Sequence, residues 1–275
     1  MFKKLKIIFQ YIKFWWFGLL MKKSVFRYKT CFIFHERQNT LINRIRKHRI
    51  YEPLIEEFLY RILPDDGLFI DIGANIGLIA LPLLKAKPHA QAFLFEPSPI
   101  ALYLLKKNLY ANNLENRANV YNCALGNKNN DKVKFAINKF PDCSMDGFLY
   151  TGRAGGFDTI YVTQRKLDDI VQNLNIDNIN IIKIDCEGAE LLVLQGAKKS
   201  INYFKPIIVM EFCKQNYSKY NIHAKDLWEW TLRTNYLILT LSMTVLDQRD
   251  LEIHIGAMNE EQFILIHRYY KWCGI

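Results

Sequence analysis

The chain has 275 residues, half of them hydrophobic, with 18 Phe, 15 Tyr and 5 Trp against 13 Gly and 8 Pro. Such a composition builds a large packed core and excludes disordered and collagen-like classes. The net charge of +10 is uneven: residues 1–50 hold 13 Lys/Arg and one acid, Glu36, while the remainder holds 24 bases and 26 acids. A neutral body behind a basic leading segment points to an anionic surface met by that segment, and no nucleic-acid partner is expected.

The first residues read MFKKLKIIFQYIKFWWFGLLMKK. Lys13 divides the apolar run into residues 7–12 and 14–21, both short of the ~20 residues that span a bilayer. No small-x-small cleavage site follows. Leu5, Ile8, Ile12, Trp16 and Leu19 recur at helical spacing, with Lys3, Lys6, Gln10 and Lys13 opposite. The pattern predicts an amphipathic helix within residues 1–30, lying peripherally on the inner, cytosolic face of an anionic membrane. Lys22, Lys23, Arg27 and Lys29 would each add about 1 kcal/mol. The alternative is that this helix packs on the domain or on a second subunit. Residues 31–50 read as a basic connector with strand character at Cys31–Phe34, which sets a boundary between a segment 1–50 and a domain 51–275. The six cysteines form no C-x-x-C. Local zinc motifs are therefore absent, and a reducing, cytoplasmic compartment is expected.

From Tyr51 the pattern alternates. Pro53 opens a helix with Leu54, Ile55, Phe58, Leu59 and Ile62 on one face. Strands are predicted at 68–72, 92–95, 119–123, 181–184, 207–210, 236–241 and 263–266. Helices are predicted at 76–86, 98–112, 167–174, 189–201 and 224–233. Strand-like pieces at 133–137 and 159–162 interrupt an irregular stretch, and a short strand is expected at Leu251–Ile255. Strands separated by helices give a doubly wound, mostly parallel seven-stranded α/β sheet. The last two strands lack a long helix between them, which favours an antiparallel edge hairpin.

In such sheets ligands bind beyond the carboxyl ends of strands where strand order reverses. The first strand ends in Asp71-Ile-Gly73-Ala-Asn75-Ile-Gly77, directly before a helix. Glu96 ends the second strand, 19 residues after Gly77, where a ribose diol is commonly gripped. A pyrophosphate favours a loop free of carboxylates, whereas Asp71 suits a cationic ligand. S-adenosylmethionine (SAM), with its ammonium and sulfonium, fits better than NAD. An NAD-type Rossmann oxidoreductase and a catalytically inactive, membrane-tethered scaffold are the rival readings.

Several segments carry a family resemblance: Tyr51-Glu-Pro53, Phe69-Ile-Asp-Ile-Gly-Ala-Asn-Ile-Gly77, Phe95-Glu-Pro97, Ala124-Leu-Gly126, Leu167-Asp-Asp169 and Ile182-Lys-Ile-Asp-Cys-Glu-Gly-Ala-Glu-Leu191, continued by Leu194-Gln-Gly-Ala197. In order and spacing the chain resembles the FkbM family of SAM-dependent methyltransferases over roughly residues 50–270. The resemblance implies a class I, Rossmann-like methyltransferase fold and methyl transfer to a hydroxyl, often on a sugar or polyketide. It implies that Asp71, Gly73, Asn75 and Gly77 line the methionine half of SAM, that Glu96, beside Pro97, holds the ribose, and that residues around Ala124 meet adenine. Glu52 would help close the pocket.

Asp185 and Glu187, at the end of the fourth strand, are the candidate catalytic bases, since an acceptor hydroxyl must lose its proton as the methyl arrives. Their alternative roles are binding the SAM ammonium (Asp185) and helix capping (Glu187). Cys186-Glu187 stands where base-amine methyltransferases carry Pro-Pro-aromatic, which disfavours that chemistry. A cation shared by Asp185 and Glu211 lacks a third ligand, so no metal is expected. His223 is the outside candidate for a base. Phe140, Phe148, Tyr150 and Phe157 are candidates to stack on a sugar ring. The expected activity is O-methylation of a small molecule, glycan or glycolipid near a membrane surface.

Overall fold

The computed structural model describes residues 24–35, 40–138, 146–150, 156–174, 176–257 and 261–270. The amphipathic helix expected in residues 1–23 lies outside these, as do Phe140, Cys143 and Cys273. Residues 24–30, expected to continue that helix, instead belong to a hairpin, β1 (Ser24–Tyr28) and β2 (Cys31–His35). Alternation decides this: Phe26, Tyr28, Cys31 and Ile33 are buried, while Val25, Arg27 and Phe32 are exposed, a period of two that no helix satisfies.

A helix, α1 (Thr40–His48), follows, then α2 (Pro53–Ile62). Ile33, Ile42 and Ile45 are fully buried in one cluster with Leu59, Leu81 and Leu84. The boundary expected at residue 50 therefore does not divide the core, and 24–48 are part of the body. Asn108 and Asn112 fix the hairpin there. Asn108 accepts from Phe34 N at 2.6 Å and donates to Phe34 O at 3.1 Å; Asn112 does the same for Phe32 at 2.9 and 2.7 Å. Two side-chain amides thus complete the open edge of β2 as a neighbouring strand would.

The main sheet holds β3 (Leu68–Ile72), β4 (Gln91–Phe95), β5 (Ala118–Tyr121), β9 (Ile181–Ile184), β10 (Ile207–Glu211), β11 (Tyr236–Thr240) and β12 (Gln262–His267). Their order is β11-β12-β10-β9-β3-β4-β5, and β12 alone runs antiparallel, between β10 and β11. This is the expected seven-stranded, doubly wound sheet. The central runs Leu-Phe-Ile-Asp-Ile and Ile-Ile-Lys-Ile are buried at every position, as strands covered on both faces must be. The hairpin, α1, α2, α3 (Ala80–Ala86) and α4 (Pro99–Ala111) cover one face. The other is covered by α5 (Leu167–Val171), α6 (Glu190–Gly196), α7 (Lys198–Phe204), α9 (Ala224–Thr234) and α10 (Gln248–Gly256), with α8 (Lys214–Tyr217) at the rim. A small sheet of β6 (Ala124–Leu125), β7 (Asn130–Asn138) and β8 (Phe157–Arg165) stands beside β5 in the chain.

Three expectations change. The helix expected over 189–201 is two, because Asp168 accepts from Lys199 N, Ser200 N and Ser200 Oγ at 2.8–2.9 Å and so starts a new helix. The strand expected at Leu251–Ile255 is part of α10. Its apolar alternation fits either period, but Asp247 caps Asp250 N at 2.8 Å, and Leu251 and Ile255 are buried while Ile253 is 51% exposed. The first helix after β3 begins at Ala80 rather than residue 76. Among the described residues no helix is long and apolar enough to cross a membrane.

Candidate active site

Strand order reverses between β3 and β9, which lie side by side and lead to opposite halves of the sheet. The loop after β3 folds across the neighbouring strand end: Gly73 N and Ala74 N both donate to Phe95 O, at 3.0 and 3.1 Å. Gly73 has φ 81°, and a Cβ there would stand 1.9 Å from the Asp185 carbonyl oxygen. Only glycine lets the two strand ends approach this closely. Asn75, at φ 49°, donates its N–H to Glu96 Oε2 at 2.8 Å, and Ser98 N donates to Oε1 at 2.7 Å. The glycine loop and the acid of β4 therefore meet, as their spacing predicts.

Together they wall an open cleft of about 830 Å³, counted to its mouth. Asp71, Gly73, Asn75, Glu96, Pro97, Ala124, Asp185 and Glu187 all line it. Gly77 and Glu52 do not. Gly77 has φ 90°, and a Cβ would lie 2.1 Å from Leu81 Cδ1 and 2.9 Å from Leu105 Cδ1. Its role is helix packing rather than ligand contact. Glu52 sits behind the wall, where its Oε2 is buried with no hydrogen-bond partner.

Sequence reasoning passed over Lys183. It occupies the middle of an otherwise isoleucine strand, and a lysine there was itself the signal. Its Nζ lies 3.0 Å from Asp185 Oδ2 and 3.8 Å from Asp71 Oδ1, with side-chain exposures of 5%, 28% and 2%. Burial alone would lower this ammonium, but Asp185, then Asp71 and Glu52, hold it well above its ordinary value. The carboxylates respond in kind. Burial pushes Asp71 up to about 6 and Glu52 to about 7, Lys183 opposing in both cases. Burial takes Glu96 to about 8 against its two amide donors. Tyr51, also on the cleft wall, is pushed up by burial first and then by Glu52.

At the far end of β9, Cys186-Glu187-Gly188 makes a tight turn with Glu187 at φ 53°. Glu190 Oε1 holds it, accepting from Cys186 N at 2.8 Å and Gly188 N at 3.1 Å. The last acid of the Asp-Cys-Glu-Gly-Ala-Glu run is thus a scaffold for the first two. Asn216 Nδ2 donates to Glu187 Oε2 at 2.9 Å and to Glu211 Oε2 at 3.4 Å. Asp185, Glu187 and Glu211 each bring one oxygen to within 4.8 Å of the others, so Glu187 is the third carboxylate that spacing did not supply. Phe135, Asp146 and Phe148 close the cleft from β7 and the following segment; Ser98 Oγ donates to Asp146 at 2.7 Å. Tyr150 and Phe157 stack on each other, centroids 4.5 Å apart, and are not among the lining residues. Among the described residues no histidine lines the cleft: His223 is exposed at the start of α9, where its N–H donates to Asp226.

The residues fit SAM. Asp71 is 1% exposed and its Oδ1 has no hydrogen-bond partner, although buried acceptors are almost always satisfied. Glu52, Asp71 and Asp185 face the single ammonium of Lys183, a surplus of negative charge that a cationic ligand relieves. The same surplus would repel a pyrophosphate, which counts against the NAD alternative. Phe95, Ala124 and Leu125 offer an apolar wall for a purine.

The chain matches the methyltransferase FkbM domain over residues 71–238. Methyltransferase sdnD of Sordaria araneosa is 26% identical over 185 residues, 56% of this chain and 70% of that protein. The 2-O-methyltransferase NoeI of Sinorhizobium fredii is 25% identical over 171 residues, 57% of this chain and 65% of that protein. The FkbM methyltransferase of Methylobacillus flagellatus KT, a solved structure, overlaps 77% of this chain and 50% of its own, at 19% identity and a TM-score of 0.45. The chain thus spans about two thirds of these curated relatives and half of that solved chain. The match over most of the sheet, from Asp71 in β3 to Ile238 in β11, makes the chain a member of the FkbM family of SAM-dependent methyltransferases.

Proposed function

We propose that the protein methylates a hydroxyl oxygen of a glycan, glycolipid or related metabolite close to a membrane surface. The observation that carries this reading is the pair of carboxylates, Asp185 and Glu187, lining the cleft beyond β9. SAM, when bound, supplies a methyl made electrophilic by its sulfonium. The chain's own work is to bind the donor, orient the acceptor and remove one proton. Asp71 and Asp185 offer acceptors to the donor's ammonium; Glu96 retains lone pairs for the ribose hydroxyls beyond those used by Asn75 and Ser98. A hydroxyl of high pKa needs a carboxylate within hydrogen-bond reach. Glu187 is the proposed acceptor of that proton, steadied by Asn216. Phe135 and Phe148, edge to face at 6.0 Å, give a sugar ring an apolar wall. The relative named a 2-O-methyltransferase supports oxygen as the methylated atom.

The test is transfer of labelled methyl from SAM into fractionated glycans and lipids, with the product's stability to mild base distinguishing an ether from an ester. Label recovered only in proteins, nucleic acids or amines overturns the reading.

A further inference from the structure

One surface that does not line the cleft has a composition that the methyl-transfer chemistry does not use. On α4, Tyr103, Lys106, Lys107 and Tyr110 recur at i, i+3, i+4 and i+7 and so share one side of the helix. Tyr103 is 53% and Tyr110 73% exposed. The β1–β2 register sets Val25 opposite Phe34 and Arg27 opposite Phe32, and Val25, Arg27 and Phe32 all face outward. The two elements form one surface: Asn108 and Asn112 bond the backbone of Phe34 and Phe32, and Lys107 Nζ lies 4.2 Å over the Phe34 ring and 5.9 Å from that of Tyr103. Neither 24–35 nor 99–111 contains an acid.

Exposed rings interleaved with Lys and Arg are unfavourable in water and well matched to the headgroup layer, where rings settle at the interface and cations meet anionic lipid. Contiguous surface of this type marks an interaction site. Continuity favours lipid over a protein partner. The hairpin begins at Ser24, directly after a stretch of sequence with the same Lys, Trp and Phe chemistry. We propose that the acid-free aromatic and basic face, formed by the 24–35 hairpin and the outer side of α4, seats the enzyme on an anionic bilayer. The inference rests on the membrane placement proposed above and gives it a second, folded contact.

The test is co-sedimentation of the full chain with phosphatidylcholine vesicles, with and without phosphatidylglycerol. Three variants are compared: F32S/Y103S/Y110S, R27E/K106E/K107E and, as a control for the leading segment, K3E/K6E/K13E. Both face variants should partition at least about tenfold more weakly into anionic vesicles, with SAM affinity by calorimetry unchanged because no altered residue lines the cleft. Wild type should prefer the anionic vesicles. Wild-type-like binding by both face variants, with loss only in K3E/K6E/K13E, overturns the proposal; so does equal binding to neutral vesicles, or none to either. Failure of SAM to bind the wild type would instead strike the methyltransferase reading.

Discussion

Replacing Lys183 with Met removes the ammonium from a buried group of acids while keeping about the volume of the side chain. At an effective dielectric of ~20, its attractions to Asp185 at 3.0 Å and Asp71 at 3.8 Å amount to about 4–6 kcal/mol each. Burial of the ammonium costs several kcal/mol in return, so the expected loss on breaking the pairs is about 3–5 kcal/mol at neutral pH. The pH dependence separates this mechanism from a packing defect. Asp71 and Glu52 already sit raised, at about 6 and 7, with Lys183 in place. Without it they rise further and are protonated at pH 5. An acid raised by folding destabilises progressively as pH climbs from its unfolded to its folded value. The K183M deficit should therefore be smaller at pH 5 than at pH 8, by at least about 1.4 kcal/mol, the equivalent of one pK unit. Urea unfolding of both proteins at the two pH values measures this directly. An equal deficit at both, or less than about 1 kcal/mol at pH 8, would refute the charge argument.

The same linkage acts on the wild type. Asp71, Glu52, Glu190 and Glu96 are raised to about 6, 7, 7 and 8, so the ligand-free protein should melt at lower temperature as pH rises from 5 to 8. The shift produced by SAM should grow over the same window, because its ammonium meets ionised Asp71; thermal melts showing a flat or rising ligand-free Tm would contradict this. Asp71→Ala should weaken SAM binding by roughly 10- to 100-fold in calorimetry, the range for a lost hydrogen bond to a charged group, and Glu96→Ala by roughly 5- to 100-fold, the range for polar groups left unsatisfied in a buried site. Unchanged affinity in both would remove the site assignment. Gly77→Ala should cost several kcal/mol of stability, since it combines a strained φ of 90° with a Cβ 2.1 Å from Leu81, yet leave SAM affinity of the folded fraction intact; a selective loss of affinity would return Gly77 to the cleft. With Glu187 as the base, turnover should survive EDTA and fall at least about 100-fold in Glu187→Gln. Loss of turnover in EDTA, restored by a divalent cation, would make the three carboxylates a cation site instead of a base.

What the sequence made legible were features whose physics is local. The strands at 181–184 and 207–211 follow from short runs rich in Ile and Val, and the meeting of the glycine loop with Glu96 follows from a strand–turn–helix whose length is nearly fixed. What escaped depended on partners far along the chain. The hairpin at 24–35 is short and its strand edge is completed by Asn108 and Asn112, 74 to 80 residues away; an asparagine inside an amphipathic helix gives no local sign of that. Leu251-Glu-Ile-His-Ile255 satisfies two periodicities at once, and the cap from Asp247 selects the helix.

Lys183 is the instructive miss. A lysine between isoleucines in a central strand is untenable without nearby carboxylates, and Asp71 and Asp185 were both already identified as site residues. Asking where that ammonium could find its charge partners leads to the ends of β3 and β9, which the strand order makes neighbours. The conflict between a buried strand and a charged residue thus predicts the location of the site independently of the glycine loop. It also explains why a buried strand position on the cleft wall carries a charge: Lys183 stands between Asp71 and Asp185 and opposes the rise that burial imposes on the Asp71 carboxyl.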